Sequence, residues 1–167
     1  MSDPQTDRFA LPLLQPGQAQ KEMFHNEALA ALDLIVQPGV VAMNVNVPPT
    51  APESGQSWLV GSAPTGAWAG KAGYVAGWSG GGWRFVAPID GMAAWVIADG
   101  LIARFAAGGW VLGEAACAHL VIGGDRVVGP RQTAIAAPSG GGVIDAESRA
   151  ALAAILAALR THGLIAT

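Results

Sequence analysis

Two copies of one short pattern lie 27 residues apart in the middle of this chain, and they leave few folds open to it. The first is Tyr74-Val75-Ala76-Gly77-Trp78, a loop, then Trp83-Arg84-Phe85-Val86. The second is Leu101-Ile102-Ala103-Arg104-Phe105, a loop of the same length, then Trp110-Val111-Leu112. Short alternating aromatic and β-branched runs joined by glycine turns are β-hairpins. Ser79-Gly80-Gly81-Gly82 closes the first and Ala106-Ala107-Gly108-Gly109 the second. Between them, Ala93–Ala98 and Leu101–Phe105 flank Asp99-Gly100, a two-residue turn whose central positions both need positive φ. The spacing predicts an antiparallel meander of about five strands over residues 74–112. All the aromatics share a phase with apolar neighbours: Tyr74 and Trp78, Trp83 and Phe85, Trp95 and Ile97, Phe105, Trp110. They are expected to fill the core, with Arg84 and Arg104 opposite. Trp58 and Trp68 fall outside that set and are the candidates for an exposed glycan-stacking platform.

The flanks carry the helices. Gly17–Val36 has helical periodicity, with Met23, Ala30, Ala31 and Leu34 on one face and Phe24, Ala28 and Ile35 beside it. Pro38-Gly39 stops it. Residues 1–16, with three prolines, read as an irregular arm ordered by a partner. Val41–Val47 alternates as a half-buried strand, and Gln56–Gly61 is a second. Beyond the repeat, Leu120–Ile122 and Arg126–Val128 form a hairpin across Gly123-Gly124-Asp125, and Thr133–Ala137 is a last strand. Pro138–Gly142 reads as a linker. Asp145 then caps a helix closed by Gly163. Between Ala150 and Leu159 this helix has no polar side chain. A helix apolar all round must be covered on every side, yet ten residues cannot cross a bilayer. Leu152, Ile155, Leu156 and Leu159 are the expected oligomerisation residues, three copies around an axis covering them; packing on the chain's own β-domain would leave one face wet. The expected fold class is therefore α+β, mainly β: a docking arm and helix (1–38), a β-domain (39–137), and a linker with the oligomerisation helix (138–167).

Composition narrows function. Only 13% of the 167 residues are charged against 51% hydrophobic, so part of the surface is expected to lie against other chains. A net charge of −3 gives no nucleic-acid footprint. Cys117 stands alone and is expected to be buried; no disulfide framework follows. There is no signal-peptide pattern and no membrane-length apolar run, so synthesis in a cytoplasm without membrane insertion is expected. No zinc-ligand spacing, phosphate loop or nucleophile motif is present; His25 lacks partners at ligand spacing and reads as a surface residue. The carboxylates are dispersed, with Asp90, Asp99 and Asp125 in turns. No enzyme activity, catalytic residue, metal or cofactor is expected.

Several motifs together resemble the domain of unknown function 2793, found in prophage, phage tail-fibre and gene-transfer-agent proteins of alphaproteobacteria. They are Gln18-Ala19-Gln20-Lys21 with Asn26-Glu27-Ala28-Leu29, Trp83 to Pro88, Ala94-Trp95-Val96, Gly109-Trp110-Val111, Val127 to Gln132, and the terminal helix from Val143 to Leu164. Glycine replaces the polar residue expected between Gly80 and Trp83. The resemblance implies a structural virion component, a homotrimeric spike or fibre assembled on the surface of a phage-like particle and involved in host attachment. Its partners would be itself, other head or tail proteins, and host capsular polysaccharide; Gln18, Lys21 and Asn26 would serve docking. The alternative is a stand-alone, lectin-like glycan-binding module.

Overall fold

The protein is seen as a computed structural model that describes residues 4–15, 21–140, 142 and 145–166, with only the backbone of Lys21. Gln18, the Lys21 side chain and Val143-Ile144 thus lie outside the described residues. The class is α+β, mainly β. The chain divides at Glu114/Ala115 into two units, not at the Gly-rich 138–142 stretch, and the arm and first helix belong to the larger one.

In the first unit, α1 spans Lys21–Ile35 and β1 is Gly39–Val40. β2 is Ser57–Leu59, and a 3-10 turn follows at Gly66–Trp68. Then come β3 Val75–Ser79, β4 Gly82–Val86, β5 Ala93–Val96, β6 Leu101–Ala106 and β7 Gly109–Leu112. The expected single meander is two sheets, ordered β2-β3-β4 and β1-β5-β6-β7. Pro88, which has no amide to give a ladder, lies between them. β1 pairs with β5 in parallel, Gly39 opposite Trp95 and Val40 opposite Val96.

The repeat itself holds to the residue. Trp78 faces Trp83 across the first hairpin, and Phe105 faces Trp110 across the second. Both pairs meet edge to face, with centroids 4.9 and 5.4 Å apart. The Asp99-Gly100 hairpin differs from expectation. β5 ends at Val96, which pairs with Leu101, and only Gly100 has positive φ. The amides of Ile97 and Ala98 bond to the carbonyls of Val40 and Val41, which widens the loop to four residues. The tight turn with both residues left-handed is at Ala107-Gly108, φ 51° and 82°. The strand expected over 41–47 is broken by Asn44, φ 58°, leaving the Val45–Val60 bridge.

Two clusters fill this unit. Leu34, Val40, Leu59, Val75, Ala94, Val96 and Ala103 form one; Trp58, Val60, Trp68 and Ala76 form the other, with Trp78, Trp83 and Phe85 against it. The sheet β2-β3-β4 lies between them, buried on both faces. The second sheet has one dry face, and that face carries Ala94 and Val96. Trp95, expected in the core, is therefore outward and 49% exposed, opposite exposed Ile102. Along α1, Leu34 is buried, but Met23 and Phe24 of the expected core stripe are exposed.

In the second unit, β8 is Leu120–Ile122, β9 is Asp125–Val128 and α2 is Ala146–Thr161. Ile122 faces Asp125 across Gly123-Gly124. The strand expected at 133–137 is absent; Gln132 instead bridges Ile165, its amide bonding to Leu164 O and its carbonyl accepting from Ala166 N. Cys117, expected to be buried, is exposed. α2 is closed at both ends by its own sequence. Asp145 accepts from Ser148 N and Oγ, both at 2.8 Å. Those bonds hold its carboxyl below the ordinary range. Gly163, φ 70°, lets Leu164 N reach Leu159 O and Gly163 N reach Arg160 O, which satisfies the last carbonyls.

Candidate functional site

The polar chemistry of the first unit gathers where the N-terminal arm, α1 and the β3–β4 turn meet. The arm is an ordered strap. Its ends pair through Gln5 and Pro12, and Thr6 N bonds to Leu11 O. What holds it is Asp33, a carboxylate only 5% exposed. Oδ1 accepts from Thr6 Oγ1 at 2.9 Å and from Phe9 N at 2.7 Å; Oδ2 accepts from Arg8 N at 2.9 Å. A buried carboxylate is tolerable only when so satisfied. The Arg8 guanidinium crosses to the C-terminus of α1, donating to the carbonyls of Asp33, Leu34, Val36 and Gln37. Those of Asp33 and Leu34 are among the carbonyls a helix end leaves unpaired, at the negative end of its dipole, and those of Val36 and Gln37 follow directly. The arm expected to need a partner thus finds its partners in its own helix.

Asn26, an expected docking residue, is also used internally. Its Oδ1 accepts from Leu14 N at 2.9 Å and its Nδ2 donates to Leu14 O at 3.1 Å. The next residue, Glu27, takes two bonds from Arg84, at 2.7 and 3.1 Å, while Arg84 also donates to Ser79 Oγ. The hydrogen bonds from Arg84 draw the Glu27 carboxyl below its ordinary value. A cleft of about 260 Å³ lies among these groups, lined by Gln5, Asn26, Glu27, Trp78, Gly80 and Arg84 among others. It offers hydrogen-bond donors and acceptors beside one indole. Among the described residues no group of three or more His, Cys, Asp or Glu is placed to hold a metal ion.

Trp58 and Trp68 do not form an exposed platform. They are 6% and 0% exposed, and with Trp78 and Trp83 they make a cluster of tilted and edge-on rings. Ring faces packed on one another cannot stack a sugar. Trp68 reaches this site through the 3-10 turn in a Gly/Ala segment that periodicity does not decode. Of the residues expected to serve oligomerisation, Leu152 and Ile155 are exposed (47% and 55%), Leu159 is partly covered and Leu156 is buried. Sequence reasoning missed Asp33, Arg8 and Thr6. The available signal was a charged residue next to Leu34 on the apolar side of α1.

The architecture defines a small, mainly β domain led by a strapped helix, with Asp33, Arg8, Asn26 and Arg84 engaged in internal bonds. The sequence pattern of the family described as Protein of unknown function (DUF2793) matches residues 25–111, just over half of the chain, and the chain belongs to that family. No curated protein matches it. The matched span runs from α1 to β7, so the strap's Asp33 and both hairpins lie inside it. Among the described residues no helix is long and apolar enough to cross a membrane.

Proposed function

We propose that this chain is a structural component of a phage-like particle: a homotrimeric spike or fibre that takes part in attachment to the host cell surface. The observation that carries this reading is the exposed apolar face of α2. Leu152 and Ile155 stand in solvent on a helix capped at both ends, amid alanines. Such a face is a liability on a lone chain and an asset in an assembly. The low charge content supports the same reading, as does what the motif resemblance implies. The first unit would be the rigid body that the particle displays.

Particles from a producing strain, purified on a density gradient and analysed by peptide mass spectrometry, should contain the chain. Particles lacking it should attach poorly to host cells. Absence of the chain from clean particles would sink the proposal.

One observation favours a second reading, a glycan-binding module. Trp95 is an exposed tryptophan on the open face of the second sheet, where the cross-strand register also places Arg104. A glycan array with Trp95→Ala as control distinguishes the two: saccharide binding abolished by that substitution would favour the module.

A further inference from the structure

The open face of the second sheet has a make-up that its own fold does not use. Residues opposite one another across a ladder share a face. The register therefore sets Trp95 beside Ile102, with Ala93, Arg104 and Val111 in the next row. Trp95 and Ile102 are 49% and 54% exposed, and Ile97, two residues on from Trp95, is 59% exposed. On β1 the neighbour of Trp95 is Gly39, where an added Cβ would meet nothing within 4 Å, so that flank of the indole is open.

Arg104 is the one charge among these residues, and it is alone. Arg8 and Arg84, the other arginines of the first unit, are tied to carbonyls at the end of α1 and to Glu27. Among the described residues no hydrogen bond or ion pair engages Arg104, and its Nε is shielded from water with no acceptor. A part-buried guanidinium without a counter-charge calls for a carboxylate. Tryptophan and arginine are also the side chains that most often dominate binding between proteins.

The same make-up selects the occupant. A sugar ring carries hydroxyls around its edge and needs several polar groups to meet them. This face offers one polar side chain, and the backbone of β5 and β6 is taken by ladders on both sides. A second copy laid face to face would set one uncompensated arginine patch against another. What fits is a polypeptide segment with aliphatic side chains on either side of a single Asp or Glu. Asn26 of α1, expected to serve docking, is already bonded to Leu14.

We propose that the open face of β5 and β6, centred on Trp95 and Arg104, docks a different protein through an aliphatic segment whose one carboxylate pairs with Arg104. This rests on the particle reading above for the partner's source, another polypeptide of the same particle. It goes beyond that reading in naming the surface and the partner's chemistry.

The full-length chain with photo-reactive p-benzoylphenylalanine in place of Ile102, expressed in a producing strain, should cross-link to one other polypeptide. Mass spectrometry of the cross-linked peptide should find an Asp or Glu between aliphatic residues. A synthetic copy of that peptide should bind the purified chain. Arg104→Glu should weaken this binding at least about a hundred-fold and Trp95→Ala at least about thirty-fold. Changing the peptide's carboxylate to Lys should return the Arg104→Glu chain to within about ten-fold of wild type. Neither side chain belongs to the apolar clusters, so each variant should melt within about 3 °C of wild type. A cross-link to a second copy of the chain, no cross-link at all, or peptide binding indifferent to Arg104→Glu would overturn the inference. So would saccharide binding abolished by Trp95→Ala, which gives the face to a glycan. If the Arg104→Glu chain enters particles and they attach as wild type does, this surface is defeated and the particle reading stands. A partner that meets every criterion but belongs to no particle does the reverse.

Discussion

The two copies of the repeated hairpin share a register but not a setting. Trp78–Trp83 and Phe105–Trp110 occupy equivalent positions, yet the first pair joins a four-tryptophan cluster and the second packs at the edge of the other core. The first hairpin lies between two apolar clusters; the second has one dry face. Equivalent positions have diverged accordingly. Gly77 lies so close to α1 that a Cβ would sit 2.6 Å from Leu34 Cδ1, whereas the matching residue of the second copy is Arg104. The turns differ too: Gly80-Gly81 leaves the left-handed φ to Gly82, but Ala107 and Gly108 both adopt it. A shared pattern of residues sets the pairing of a hairpin, and its neighbours decide which face is buried.

The largest test is Trp83→Ala, which removes a ring touching Trp58, Trp68 and Trp78. It should cost about 3–5 kcal/mol in denaturant unfolding. Trp110→Ala should cost at least about 1 kcal/mol less; equal losses would break the comparison. Gly77→Ala should cost about 1–3 kcal/mol through overpacking against Leu34, seen as a lowered melting temperature. Trp110→Phe keeps a ring but drops the indole bond to Gly73 O, 2.8 Å long, and should cost about 1 kcal/mol. Ala107→Gly relieves a left-handed alanine and should raise stability by about 0.5–1 kcal/mol. Gly80→Ala, where φ is not left-handed and space is open, should not destabilise the first turn comparably. The smallest effect is that of Glu27. Its folded pKa lies below the ordinary 4.5, so its stabilisation is full above that range and is lost as pH falls through the lowered value. Glu27 is 60% exposed, so the pair contributes only a few tenths of a kcal/mol. Acid titration of Glu27→Gln against wild type should show that increment gone.

Hairpin positions were legible because glycine turns and alternation act over a few residues. The C-terminal helix was legible because Asp145 and Gly163 act locally on its ends. What alternation cannot tell is which of two faces is dry. Trp95 shares a face with Ile97 as expected, but that face is open because Ala94 and Val96 meet Val40, a contact made across more than fifty residues. Trp58 and Trp68 fell outside the phased set because they lie before the repeat, in β2 and the 3-10 turn, yet they pack against its Trp78 and Trp83 and are buried. The strap was illegible for the same reason: Thr6 and Arg8 acquire their roles only when Asp33 is set behind them, and arm and helix are then one piece.

The parallel pairing of β1 with β5 bears on how fast this protein can fold. Both repeat hairpins can zip from their turns, but Gly39-Val40 must await Trp95-Val96, with the whole of the first sheet threaded between them. Closing so long a loop gives up chain entropy before any ladder bond returns it. Refolding should therefore show early quenching of the tryptophan cluster and later docking of the edge strand. The junction between the sheets is then the last part of the first unit to become native, and its first point of exposure to aggregation.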